Sequence, residues 1–133
     1  MTTFKHALWI RIALGALATI ILLFTIPAYL NPANNPGLKS LTGEAASLGS
    51  VAGLFLGRQL TIALIALYGA IRGTTESLLI GAFGIAAINF HDAIFVGAFG
   101  GVKPGSVMGL VFGLLALGLM WAVLRGREKP VAV

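Results

Sequence analysis

No cysteine occurs in the chain, which excludes disulfide exchange, thiol catalysis and thiolate metal sites. Charge is scarce as well. Charged residues make up 10% of the 133 and hydrophobic ones 58%, whereas a soluble domain carries roughly 25% and 45 to 50%. A Walker loop, a dinucleotide fingerprint after a strand and an HExxH helix are all missing. The glycines of "GAFGG", Gly97 to Gly101, close an apolar run and read as a helix exit, not as a phosphate cradle. There are two histidines, His6 and His91, and they fall at opposite faces of the expected structure. Neither a metal site nor a cofactor is therefore expected. The net charge of +5 comes without any basic-aromatic motif. Nucleic acid is not an expected partner, and membrane topology with anionic lipid accounts for the excess.

What is present in abundance is long uncharged sequence. A helix needs about 20 mostly apolar residues to cross the roughly 30 Å hydrocarbon core of a bilayer, and four such runs occur, near residues 7–30, 45–71, 77–99 and 106–124. They use up the chain as a single domain, residues 1–133, with no length left for a soluble one. The first run is longer than the apolar part of a signal peptide, about 7 to 15 residues, and no clean A-x-A site follows it. Its end coincides with Pro27 and the turn-rich "NPANNPG". Gly73 suits a left-handed exit from the second helix, Thr74 or Thr75 a cap on the third, and Glu76 its positive dipole end. Pro104 suits a first helical turn and Ser106 a cap on the fourth. Short connections make successive helices antiparallel neighbours. The expected fold is all-α, a membrane four-helix bundle of up-down topology.

Basic residues set the orientation. With the N-terminus in the cytoplasm, Lys5, Arg11, Arg72, Arg125, Arg127 and Lys129 lie inside, against Lys39 and Lys103 outside. Trp9, Tyr68 and Trp121 then sit near the inner interface and Tyr29 near the outer one. The expected location is the inner, cytoplasmic membrane of a bacterium, with both ends in the cytoplasm. Arg11, Arg72 and the tail "RGREK" read as snorkelling or interfacial charges.

In lipid, small residues at spacing four mark helix contacts. Ala45, Gly49, Gly53 and Gly57 form one such row, and Gly105, Gly109 and Gly113 another. Both lie in the outer half, so the second and fourth helices are expected to approach there, or one row to pack on a second protomer. A third stripe, Ala82, Ala86, Asn89, Ala93 and Gly97, turns Asn89 towards other helices. Asp92 is one turn beyond Asn89 on nearly the same face, while His91 is rotated by roughly 100°. Counted from the outer helix ends, Asp92 lies about 10 Å deep and Arg58 about 16 Å, at 1.5 Å per residue. An arginine side chain closes that gap, and each charge is far better placed against the other than against lipid. An Arg58 to Asp92 pair flanked by Gln59, Asn89 and His91 is expected, either as a brace that fixes helix register or as a functional centre.

"GRQLTIALIALYGAIR" followed by "NFHDAIFVGAFGG" resembles small four-helix integral membrane proteins, loosely the DoxX-like group. The resemblance spans Gly57 to Gly101 and rests on Gly57, Arg58, Tyr68, Gly69, Arg72 and Asp92. It implies the four-helix fold and no particular activity. Two transporter families are set aside at the residues that would carry their chemistry. The first helix lacks the acidic residue expected of small multidrug exporters, and the Thr-Phe-Ser-Thr-Phe segment expected of fluoride channels is absent.

Three functions remain. In the first, the bundle holds a polar-headed hydrophobic small molecule or lipid, with Arg58, Gln59, Asn89 and Asp92 as binding residues. If that site is catalytic, Asp92 serves as acid or base, His91 as relay and Arg58 as stabiliser of negative charge, which suits proton transfer on a lipophilic substrate. In the second, the chain is a structural or assembly subunit that docks its glycine faces on a larger membrane complex. In the third, it is a proton-coupled carrier working as a homodimer.

Overall fold

The structure is a computed structural model that describes residues 2–126 and 128–132. Arg127, one of the basic residues of the topology count, lies outside the described residues. Four long helices form an all-α bundle: α1 (Leu8–Thr25), α2 (Val51–Arg72), α3 (Thr75–Gly100) and α4 (Pro104–Arg125). With the short helical turns that extend them, all four are long and apolar enough to cross a membrane, so the protein is an integral membrane protein by length and composition. The side chains are arranged accordingly. Ala18, Ala52, Ala63, Ala66, Ala82 and Ala116 are buried between helices, while Leu23, Leu54, Ile80, Phe83, Leu114 and Leu124 point outwards. Small residues let helix backbones approach, and large apolar ones meet acyl chains.

Consecutive helices run side by side in opposite directions, and α4 returns to touch α1. The turns between them have local causes. Gly73 ends α2 in the left-handed conformation, with φ of 71°, and its N–H donates to the carbonyl of Gly69 at 2.8 Å. Thr74 then caps α3, its hydroxyl accepting from the N–H of Ser77. Arg11 is more than a snorkelling charge: Nε and Nη2 donate to the carbonyls of Ala70 and Ile71 at 2.9 and 3.0 Å. A cation on the last carbonyls of α2 satisfies acceptors that the helix itself leaves unpaired.

Several expected boundaries shift. The α-helical part of α1 ends at Thr25, because Pro27 supplies no N–H, and the chain continues as a single 3-10 turn over Pro27–Tyr29. Helix α2 starts at Val51, not near residue 45, and the segment before it is a 3-10 turn over Gly43–Ala46 followed by a bend. The row from Ala45 to Gly57 is consequently not one helix face. A side-chain carbon at Gly53 would collide with the carbonyl of Leu48, so this glycine lets the preceding turn fold onto α2. Helix α4 starts at Pro104 with Lys103 in the capping position, and Ser106 is not a cap.

At one end of the bundle the two termini pair. Strands β1 (Thr2–Lys5) and β2 (Lys129–Ala132) form an antiparallel ribbon, with Thr2 opposite Ala132 and Lys5 opposite Lys129. Beneath it, His6 is 4% exposed and joined to both neighbouring segments. Its N–H donates to the carbonyl of Gly73 at 2.8 Å, and its Nε2 lies 2.9 Å from the hydroxyl of Thr75. Oε1 of Glu128 accepts from the N–H and the hydroxyl of Thr75, at 2.6 and 2.8 Å. Since that hydroxyl has one proton and gives it to the carboxylate, His6 Nε2 must be the donor to Thr75. The cluster thus ties the N-terminus, the α2 to α3 turn and the C-terminal segment together.

Candidate functional site

Proximity of helices changes along the bundle, and the change positions the site. Close to the terminal ribbon, α2 and α3 are in backbone contact. A side-chain carbon at Gly69 would overlap the carbonyl of Ser77, and one at Gly81 would come within 2.8 Å of Ala66 Cα. Further along, Gly84 is 3.6 Å from the Ile62 side chain by the same measure, and Gly57 meets nothing within 4 Å. Where the backbones separate, long polar side chains bridge the seam. Arg58 Nη2 donates to both oxygens of Asp92, at 2.8 Å to Oδ2 and 3.0 Å to Oδ1. The pair is partly sheltered, with the Arg58 side chain 39% and the Asp92 side chain 23% exposed. His91 Nδ1 lies 3.2 Å from Asp92 Oδ1, and the His91 side chain is 58% exposed.

Behind this bridge lies a cavity of about 680 Å³. All four helices and the connector between α1 and α2 contribute to its wall, including Arg58, Gln59, Asn89 and Asp92. Apolar wall is supplied by Ile21 and Phe24 of α1, Phe55 of α2, Val96 of α3 and Phe112 of α4. Its size falls within the roughly 300 to 1,000 Å³ usual for small-molecule sites. The connector forms one side because Asn35 pins it: Oδ1 accepts from the N–H of Gly37 at 2.9 Å, and Nδ2 donates to the carbonyl of Phe24 at 3.3 Å. Leu38 is then buried against Ala28, Ala52 and Leu56, a second small core.

The residues singled out from the sequence are thus gathered in one place, with different surroundings. Asn89 lines the cavity and donates from Nδ2 to the carbonyl of Ile85 one turn back, at 2.8 Å. Gln59 is buried in the same wall. His91 faces away from the cavity, stacked on Phe95 with ring centres 4.6 Å apart, and lines a second, shallower groove with Arg58, Ile62 and Gly84. Arg58 therefore borders both spaces, and Asp92 touches His91 on one side and the cavity on the other. His91, Asp92 and Arg58 form a continuous polar chain from the outer face of the bundle to its interior.

The expected close approach of α2 and α4 does not occur. The glycines of α4 pack on α3 instead, where a carbon at Gly109 would come within 3.0 Å of the Asn89 carbonyl and one at Gly113 within 3.0 Å of the Phe90 ring. Helices α2 and α4 stand across the cavity from one another. Among the phenylalanines of α3 and α4, Phe112 lines the cavity, whereas Phe83, Phe95 and Phe99 are exposed. Spacing alone did not reveal Phe24, Phe55, Lys39, Lys103 or Ser106 as wall residues. One signal was available: Lys39 and Lys103 are the two basic residues that the charge count sets apart from the terminal end, and both line the cavity.

The wall is chemically incomplete in two places. Arg58 Nε and Ser106 Oγ are buried and have no hydrogen-bond partner among the described residues. The wall also carries Lys39 and Lys103, and neither forms an ion pair among the described residues. Such an arrangement can hold a molecule that is mostly apolar and bears hydrogen-bond acceptors at one end. No family model matches the chain, and no curated protein or solved structure is significantly similar to it, so geometry carries the functional reading.

Proposed function

We propose that this protein holds a polar-headed hydrophobic molecule inside its bundle, at the cavity walled by Arg58, Gln59, Asn89 and Asp92. One observation carries this reading: an apolar space of about 680 Å³, reached by all four helices, has Arg58, Asp92, Lys39 and Lys103 in its wall. A helix brace alone needs the ion pair and has no use for the cavity behind it. Membrane lipid or a lipophilic small molecule is the occupant. In this reading Arg58 engages a carbonyl or anionic oxygen, and Asp92 accepts a hydrogen bond. The contact between His91 and Asp92 supports proton-transfer chemistry on such an occupant, with Asp92 as acid or base, His91 as relay and Arg58 stabilising developing negative charge. The protein sits in a bacterial inner membrane with both termini in the cytoplasm. Lys5, Arg11, Arg72, Arg125 and Lys129 at the terminal end, against Lys39 and Lys103 at the cavity end, support that orientation.

Mass spectrometry of the protein purified in mild detergent tests the proposal, with wild type compared to Asp92→Asn. A hydrophobic compound that travels with the wild type and is lost in the variant is the expected result. Protein partners alone, retained equally by both, would show the pair to be a brace. That outcome belongs to a second reading, an accessory subunit of a larger membrane complex. It is favoured by Gly57, Gly97 and Gly118, which meet nothing within 4 Å inside the chain and leave small-residue surface for another one.

A further inference from the structure

We infer that the occupant is an amphiphile with an anionic head, phosphate or carboxylate, and one hydrocarbon chain, its head seated at the start of α4. The inference rests on the proposed binding role and adds the chemistry of the ligand. Five groups meet in the wall of this cavity. Ser106 is 7% exposed, lines the cavity, and has a hydroxyl with no partner among the described residues. Lys103 occupies the position just before the helix, and Lys39 borders the same cavity from the connector. The amino end of a 22-residue helix adds its partial positive charge. Arg58 Nε, buried in the same wall, is a donor with nothing to donate to. Arg58 already has Asp92 as its counter-ion, the one carboxylate among the described wall residues, so the exposed Lys39 and Lys103 leave this part of the wall with net positive charge. The two buried wall groups without a partner among the described residues, Ser106 Oγ and Arg58 Nε, are a donor or able to be one. An oxyanion satisfies both, and a cationic or purely apolar ligand satisfies neither.

The rest of the cavity selects a chain on that head. Inward of Ser106 the wall turns to Phe112, Phe55, Phe24 and Ile21, surface that an inorganic anion would leave in contact with water. Position in the membrane agrees. Lys103 and the connector lie at helix ends, where lipid heads reside, and the aromatic wall runs along the helices, where chains reside. The cavity has the volume of a small-molecule pocket, and the single chain is inferred from that size.

Native mass spectrometry of the full chain in neutral maltoside detergent tests this with dodecyl phosphate as probe. Dodecanol, dodecyltrimethylammonium, inorganic phosphate and a diacyl phosphatidate are the comparison ligands, applied to wild type, Ser106→Ala and the Lys39→Gln, Lys103→Gln double variant. Dodecyl phosphate is expected to bind about ten-fold more tightly than dodecanol, a difference of roughly 1.4 kcal/mol. Ser106→Ala should weaken dodecyl phosphate about three- to ten-fold, the range for loss of one net hydrogen bond, and leave dodecanol unchanged. The lysine variant should abolish the preference for phosphate over alcohol. Equal binding of dodecanol and dodecyl phosphate would overturn the anionic head while leaving the binding role intact, and binding of neither would remove both. Competition by inorganic phosphate at matched concentration would refute the need for a chain, and tighter binding of phosphatidate the single chain. Equal affinity of dodecyl phosphate for all three proteins would place its site elsewhere.

Discussion

At the end of the bundle that carries both termini, the helices close on alanine and glycine; at the other end α2 parts from α3 and stands across a cavity from α4, while α3 and α4 stay packed through Gly109 and Gly113. The terminal end packs Ala63, Ala66, Ala70, Gly69 and Gly81 between its helices and seals the bundle with the ribbon and the His6, Thr75 and Glu128 cluster. The cavity end replaces small residues by Phe55, Arg58, Asp92 and Phe112 and covers them with a pinned connector. Van der Waals contact drives helix association in lipid, so stability should concentrate where backbones touch. The parted end contributes less to that association and has room for a ligand. The comparison teaches that one uninterrupted helix pair can act as a clamp in one half and as a wall in the other.

The sharpest way to break this contrast is to enlarge a glycine in each half. Gly81→Leu must push its side chain against the Ala66 backbone, and overpacking of this kind costs about 3 kcal/mol. Gly97→Leu enters open space and should change stability by less than about 0.5 kcal/mol. Thermal unfolding in detergent measures both, and similar melting shifts for the two would contradict the division into clamp and wall.

Next in size is the bridge itself. Asp92→Asn leaves Arg58 in a partly sheltered wall without its counter-ion. Losing one partner of a buried pair costs about 3 to 5 kcal/mol and an exposed pair is worth about 0 to 1, so exposures of 39% and 23% suggest about 2 kcal/mol. The double replacement Arg58→Met with Asp92→Leu should recover most of that stability while losing ligand retention. A double variant that still holds ligand would disconnect the pair from the site. On the terminal side, Thr75→Val removes the hydroxyl that joins His6 to Glu128 and should cost about 1 to 2 kcal/mol without affecting the ligand. Loss of ligand in Thr75→Val would show that the two ends are coupled.

The four spans were legible because the bilayer imposes a length and a polarity that few other environments require, and Arg58 opposite Asp92 followed from counting depth along them. Glycine spacing was less informative. It identified Gly109 and Gly113 as contact residues, but periodicity names a face and not the neighbour it meets, which is α3. Ser106 illustrates a different gap. Serine near a helix start suits a cap, yet Pro104 fixes the helix beginning earlier and carries Ser106 into the first turn, where its hydroxyl points into the wall. The terminal cluster joins Thr75 to residues 69 positions before it and 53 after it, and no local pattern encodes such a meeting. Arg11 and Glu128 looked like interfacial charges for the same reason: their partners are carbonyls and a hydroxyl supplied by other segments.

The smallest effect expected is a dependence of the terminal seal on pH. Donation from the Thr75 backbone N–H, then from its hydroxyl, stabilises the Glu128 carboxylate and lowers its pKa below the ordinary 4.5; partial burial opposes this, and attraction to His6 adds to it. A carboxyl whose pKa is depressed on folding contributes stability that is fully present above the unfolded value and is lost as pH falls through the folded one. The melting difference between wild type and Glu128→Gln should therefore be constant from neutral pH down to about 5 and shrink only below 4.5. Solvent around this surface carboxylate keeps the difference small. Ligand binding at the far end should follow a separate pH profile, unchanged by Glu128→Gln. A melting difference that widens on acidification would mean the carboxyl is stabilised in its protonated form, and the hydrogen bond between the Thr75 hydroxyl and the carboxyl would then have to be assigned the other way round.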